Sequence, residues 1–183
     1  VDGLFADDLT VMPVELTDLD WHGFTFEIHL LTVDPDEYIG EANEAGAATI
    51  IAQIERLRDR LDFLKVVNQL KRKSGLALDI YTPVEELTDE ELNLADTILL
   101  MSVPAGFSGQ EFKPLVYTKI KELRARRFSK PIEIDGGVNA ENASDLLQAG
   151  ATHLAVNSSL WHDNAVALNL EKLMKATAHA QNT

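Results

Sequence analysis

The stretch Pro131-Ile132-Glu133-Ile134-Asp135-Gly136-Gly137-Val138 decides the fold. A short apolar run ends in an acid, and two glycines follow before a helical pattern begins at about Ala140. Glycines in that place let the backbone approach a ligand closely and offer amides to a phosphate beside the next helix N-terminus. A strand-ending aspartate in a tight turn is the competing reading, so the question is whether the pattern recurs.

It recurs in both directions along the chain. Phe24 to Leu31, Ala48 to Ile54, Leu76 to Ile80, Thr97 to Val103 and His153 to Val156 read as further strands. Thr97 to Val103 is a largely apolar strand and is expected to be buried on both faces, as parallel strands usually are. Longer helical patterns separate these runs. Asp34-Pro35-Asp36-Glu37 supplies an N-cap, a proline at the first helical position and a glutamate three residues after the cap, which predicts a helix that Gly46 ends. Leu57, Leu61, Leu64, Val67 and Leu70 predict an amphipathic helix from Glu55 to about Lys73, closed near Gly75. Thr82-Pro83-Val84-Glu85 repeats the cap-proline-glutamate start, and Glu85-Glu86 with Asp89-Glu90-Glu91 reads as a solvated helix face. Further helices are predicted from Lys113 to Arg127, from Ala140 to Gly150 and from Asp163 to Ala178. This is the βαβα rhythm of a parallel sheet, in six units, with Val1-Asp2-Gly3 as the stub of an earlier strand. No linker or low-complexity tract interrupts it, so residues 1–183 are expected to form a single domain.

Composition narrows the function classes. The 183 residues are 45% hydrophobic and 25% charged, enough to bury roughly two-thirds of the unfolded surface. With 16 basic against 30 acidic side chains, the net charge of −14 repels nucleic-acid backbones and anionic membranes, and neither is an expected partner. The longest apolar runs fall far short of the roughly 20 residues of a membrane helix, and no signal segment opens the sequence, so a cytoplasmic setting is expected. Absence of cysteine excludes thiol nucleophiles, disulfides and Cys-ligated zinc.

Six strands suit an open sheet or most of a barrel. An open doubly wound sheet usually carries a glycine-rich dinucleotide or Walker loop after its first strand, and neither is present. Instead nearly every strand ends in a small polar or acidic residue: Asp2, His29, Gln53, Asp79, Ser102, Asp135 and Asn157. In a (β/α)8 barrel those ends ring one mouth, and the mouth holds the chemistry. Val156-Asn157-Ser158-Ser159 follows the last strand as Asp135-Gly136-Gly137 follows the one before it, and loops after the last two strands of such barrels often hold phosphate. As a pair they favour a phosphorylated small molecule. His29 lies on the strand face opposite Phe26 and Ile28 and is a substrate-binding candidate, with a structural histidine as the alternative. The loop from Pro104 to Gln110 carries two glycines and is long enough to lie against a substrate.

In order, Asp2-Gly3 with Phe5, His29-Leu30-Leu31 before Asp34-Pro35, Gly46-Ala47, Gly75-Leu76-Ala77-Leu78 through Thr82-Pro83, Met101-Ser102-Val103 with Gly106-Phe107-Ser108-Gly109-Gln110-Glu111-Phe112, Asp135-Gly136-Gly137-Val138, Gly150-Ala151 and Ser158 resemble the ribulose-phosphate 3-epimerase family almost end to end. The resemblance implies an α/β fold, a (β/α)8 TIM barrel of the ribulose-phosphate-binding type. It implies an isomerase of carbohydrate metabolism, within the pentose phosphate pathway, that interconverts ribulose 5-phosphate and xylulose 5-phosphate through an enediolate. The partner is a small phosphorylated sugar, the cofactor a divalent metal (zinc, iron or manganese), and a homo-oligomer is possible. Such a reaction needs acid/base groups on both faces of C3 and positive charge for the enediolate oxygen.

By resemblance Asp135 is both a metal ligand and a proton carrier. Gly106, Phe107, Ser108 and Gly109 match the substrate loop, and Gly136, Gly137, Asn157 and Ser158 the phosphate-binding backbone. Gln53 stands where the family has a metal-binding histidine, and glutamine is a weak neutral ligand compared with imidazole. Ser108 and Asn157 replace glycines, and Asp7-Asp8 stand where Pro-Asn is usual. In the same register the family's second catalytic aspartate, another metal-binding histidine, the first strand, the first helix and most of the second strand are expected ahead of Val1. Two other readings share these residues: a non-catalytic phosphosugar-binding barrel without the metal centre, favoured by Gln53, and a metal-independent phosphate-handling isomerase or synthase with Asp79 as its acid.

Overall fold

The computed structural model of the chain describes residues 11–106 and 109–178. Asp2, Gly3, Phe5, Asp7, Asp8, Phe107 and Ser108 therefore lie outside the described residues. Among the described residues six strands alternate with helices: β1 (Glu27–Leu30), α1 (Ile39–Glu44), β2 (Thr49–Gln53), α2 (Arg60–Gln69), β3 (Lys73–Leu78), α3 (Asp89–Leu94), β4 (Thr97–Met101), α4 (Leu115–Ala125), β5 (Ile132–Asp135), α5 (Ala143–Ala149), β6 (His153–Ala155), α6 (Ser158–Trp161) and α7 (Val166–Ala178). The strands follow chain order in one sheet. β1 with β2, β2 with β3, and β5 with β6 pair in parallel, as βα units require.

By packing the described residues form two compact units, 11–78 with 85–98, and 79–84 with 99–106 and 109–178. In the first, β2 is buried along its whole length, and Leu30, Ile50, Ile51, Phe63, Leu64, Val67 and Leu76 are fully buried. In the second, Val116, Ile120 and Leu123 of α4, Ile132 and Ile134 of β5 and Leu146 of α5 are fully buried. β4, apolar from Ile98 to Met101, is buried at every position, as its composition predicts.

Several boundaries differ from the sequence expectation, each for a local reason. Asp34 caps no helix: its carboxylate accepts from Arg58 at 2.6 Å, and the chain enters α1 through a 3-10 turn at Pro35–Tyr38. α2 begins only at Arg60, where Asp59 caps the Asp62 amide at 2.9 Å, and the chain leaves it through Lys71 at φ 59°. Gly75 closes no helix and lies inside β3. The Thr82-Pro83 signal produces a 3-10 turn at Val84–Glu86, and the true helix start is Thr88. Thr88 and Glu91 form a reciprocal capping box, Glu91 Oε2 accepting from the Thr88 amide at 2.6 Å, so Glu91 is buried rather than solvated. The last helical region is broken into α6, a 3-10 turn at His162–Asn164 and α7.

Gly75 has a packing role. A Cβ there would lie 2.7 Å from Thr97 Cγ2 and 2.8 Å from Ile51 Cγ1, so β3 admits no side chain at that point. Gly40, in α1, has nothing within 4 Å of the same position. Gly75→Ala is expected to lose about 1–3 kcal/mol of stability by overpacking, whereas Gly40→Ala should gain up to about 1 kcal/mol from helix propensity. Urea unfolding of both variants checks the opposite signs.

Candidate active site

Asp135 is the last residue of β5, paired in register with Ala155 of β6. Gly136 and Gly137 follow at φ 110° and 61°, backbone angles that L side chains rarely adopt. Space also requires glycine. A Cβ on Gly136 would lie 2.5 Å from Val103 Cγ2, and one on Gly137 would lie 3.0 Å from Phe112 Cβ and 3.1 Å from its backbone nitrogen. The two glycines let the turn after the acid lie directly against both ends of the loop that follows β4.

Ser102, fully buried just beyond β4, clamps this turn. Its amide donates to the Asp135 carbonyl at 2.7 Å, and its hydroxyl reaches the Asp135 carbonyl at 3.0 Å and also the Gly136 carbonyl. The Ser102 carbonyl in turn accepts from the Lys113 amide at 2.8 Å. On the other side Asn142 Nδ2 donates to the Gly137 carbonyl at 3.1 Å, and Ser159 Oγ donates to the Val138 carbonyl at 2.6 Å. That last bond joins the β5 turn to the segment after β6, where the Asn157 carbonyl accepts from Leu160 at 2.8 Å and Ser158 opens α6. The structure thus gathers Asp135, Gly136, Gly137, Asn157 and Ser158 in the second unit. Sequence reasoning noted Ser102 only as a polar strand end and gave no role to Asn142 or Ser159. The apolar run Ile98 to Met101 ending in serine was the available signal.

The loop itself is described at both ends. Gly106 and Gly109 adopt φ 141° and 79°. The Ala105 amide donates to Asp79 Oδ2 at 2.7 Å, and Gln110 Nε2 donates to the Pro104 carbonyl at 2.7 Å, which folds the loop base back on itself.

Burial raises the pKa of Asp135 above the usual carboxylate range, with the Gly136 amide acting weakly in the opposite direction. A carboxyl so placed holds a proton more firmly than a solvated aspartate does, and its ionised form is the stronger base. His29 and Gln53 belong to the first unit. His29 Nε2 is buried, and burial pushes the imidazole down to about 3, so the ring is neutral across the physiological range. Gln53 is fully buried at the end of β2. With its amide nitrogen turned toward its acceptors, it donates to the Ala77 carbonyl at 3.0 Å and to Glu55 Oε2 at 2.8 Å. Among the described residues no three His, Asp or Glu side chains converge as metal ligands. The described residues do not by themselves fit a catalytic divalent ion.

A family model described as the ribulose-phosphate 3 epimerase family matches residues 1–161. The chain belongs to the ribulose-phosphate 3-epimerase family. It is 31% identical over 172 residues to ribulose-phosphate 3-epimerase of Bacillus subtilis (strain 168), covering 88% of this chain and 76% of that protein. It is 30% identical over 188 residues to the cytoplasmic isoform of the enzyme from Oryza sativa subsp. japonica, covering 100% of this chain and 82% of the relative. Among solved structures, phosphoribosyl anthranilate isomerase from Thermus thermophilus aligns with a TM-score of 0.61 at 17% identity, over 91% of this chain and 80% of that one. A mutant tryptophan synthase alpha-subunit from Pyrococcus furiosus aligns at 0.56 and 20%, over 86% and 64%. These likenesses establish the fold as α/β, akin to TIM barrels.

Two outcomes follow for this family member. Ser102→Ala removes a buried hydroxyl donor from the Asp135 turn and is expected to cost about 1–3 kcal/mol, read by chemical denaturation. For His29 the unfolded state binds the proton first, because the folded value lies near 3 against an ordinary 6.5. Stability should therefore fall as pH drops below about 6.5, down to about 3. His29→Gln should flatten that part of the pH profile, measured as the difference in unfolding midpoint between the two proteins.

Proposed function

We propose that this chain is a ribulose-phosphate 3-epimerase, interconverting ribulose 5-phosphate and xylulose 5-phosphate by moving the proton at C3 from one face to the other. The observation that carries the reading is Asp135, a carboxyl with a raised pKa held by a glycine turn, in a chain of this family. In this proposal Asp135 is the acid/base on one face: it takes the C3 proton as a carboxylate, and in the reverse direction returns it as a carboxylic acid. Removal of the proton leaves an enediolate that collapses back to the ketone when a proton arrives on the opposite face. The group serving that face lies outside the described residues.

The phosphate is assigned to the backbone around Gly136, Gly137, Asn157 and Ser158. In support, Ser159 ties the two segments together through Val138, and Gly136 and Gly137 follow the acid at positive φ. His29, Gly106, Phe107, Ser108 and Gly109 are proposed to contact the sugar, His29 as a neutral hydrogen-bonding group. The fold proposed for this site is the (β/α)8 barrel of the ribulose-phosphate-binding type. A divalent metal remains the family expectation for stabilising the enediolate, with ligands beyond those described here. Among the described residues no helix is long and apolar enough to cross a membrane. A cytoplasmic setting is proposed alongside the function, in line with the name of the Oryza sativa relative.

The test is a coupled assay of ribulose 5-phosphate conversion by the purified chain and by Asp135→Asn. The parent should turn over, and the variant should lose about a hundredfold or more while still binding the sugar phosphate. Binding without turnover in the parent would replace this reading with that of a non-catalytic phosphosugar-binding barrel.

A further inference from the structure

We propose that Asp79 is a positioning residue that sets the entry of the glycine loop after β4, with Lys119 holding Asp79 in place. Asp79 immediately follows β3, yet residues 79–84 pack with the second unit, which holds β5, β6 and the loop. Its carboxylate bridges two backbone amides: Oδ1 accepts from Tyr81 at 3.1 Å and Oδ2 from Ala105 at 2.7 Å. Ala105 is the residue before Gly106. The backbone of Asp79 is fixed separately, its carbonyl accepting from the Thr82 amide at 3.1 Å and from Lys119 Nζ at 2.5 Å. Lys119 is buried, 3% exposed, and a buried ammonium must satisfy its donors locally. It therefore ties α4 to the Asp79–Ile80 backbone within the second unit.

Geometry gives this anchor a consequence at Asp135. The loop rests on the acid turn at both stems, Val103 against Gly136 and Phe112 against Gly137. Gln110 closes the base onto Pro104. The Asp79–Ala105 bond is a third fixed point, a carboxylate acting on a backbone amide and so stronger than a neutral pair. Without it Ala105 and Gly106 are free to leave the geometry that this bond fixes at the entry of the loop. Asp79 acts through Ala105 and transfers no proton, which separates this role from that of a second catalytic acid. The kinetic part of the inference rests on the epimerase reading. The anchoring itself does not.

The experiment compares the full chain with Asp79→Ala and Asp79→Asn by residue-resolved amide hydrogen exchange and by KM and kcat for ribulose 5-phosphate. Asp79→Ala should speed exchange at Ala105 about tenfold and raise KM by a similar factor, with a smaller change in kcat. Asp79→Asn, which keeps a carbonyl acceptor, should restore most of both. Unchanged exchange at Ala105 in Asp79→Ala overturns the proposal, and so does an Asn variant as impaired in turnover as the Ala variant, the signature of an acid. If Asp79→Ala does not fold, Lys119→Met reads the same coupling: faster exchange at Ala105 supports it and unchanged exchange contradicts it. A parent chain without turnover, whose Ala105 amide is nonetheless protected and then released by Asp79→Ala, removes the epimerase reading and leaves the anchor standing.

Discussion

The Asp135–Gly136 peptide is held by Ser102 from inside the protein, and the rest of the site depends on that clamp. Ser102 is fully buried, and its amide and hydroxyl both turn toward carbonyls of the acid turn. A buried donor left without an acceptor costs about 1–3 kcal/mol. The turn therefore has one place to lie, and only glycine fits where it passes Val103 and Phe112. The position of the Asp135 carboxyl follows from backbone packing rather than from contacts of the carboxyl itself.

Electrostatics follow from the same packing. Burial of Asp135 disfavours its charged form and so raises its affinity for a proton. Desolvation acts on His29 in the same sense, against the charged form, and there it lowers the affinity for a proton, so the ring stays neutral. Gln53 is engaged by Ala77 and Glu55.

Much of this was legible in the sequence. The run Ile132 to Val138 combines β-branched residues, a terminal acid and two glycines, and each element has a local cause, so strand, turn and acid were read together. Gly75 was misread because a glycine that stops a helix and a glycine that makes room inside a strand are the same letter. Only its neighbours Ile51 and Thr97 distinguish them. The acidic run at Asp89-Glu90-Glu91 was read as solvated, whereas the capping box with Thr88 buries Glu91. Leu57 extended the helical periodicity past the true start at Arg60, where Asp59 competes as a cap. Within the site, Asp135 and the glycines announced themselves through local pattern. The Ser102 clamp did not, because its partner lies 33 residues away and nothing local encodes it.

The central claim is that Asp135 exchanges the proton at C3 of a ketopentose phosphate. Its most direct test is incubation of the chain with ribulose 5-phosphate in deuterium oxide, with C3 followed by NMR. The account predicts deuterium at C3 of both epimers, with the signal lost in Asp135→Asn. Epimer formation without deuterium at C3, or undiminished exchange in the variant, would contradict it.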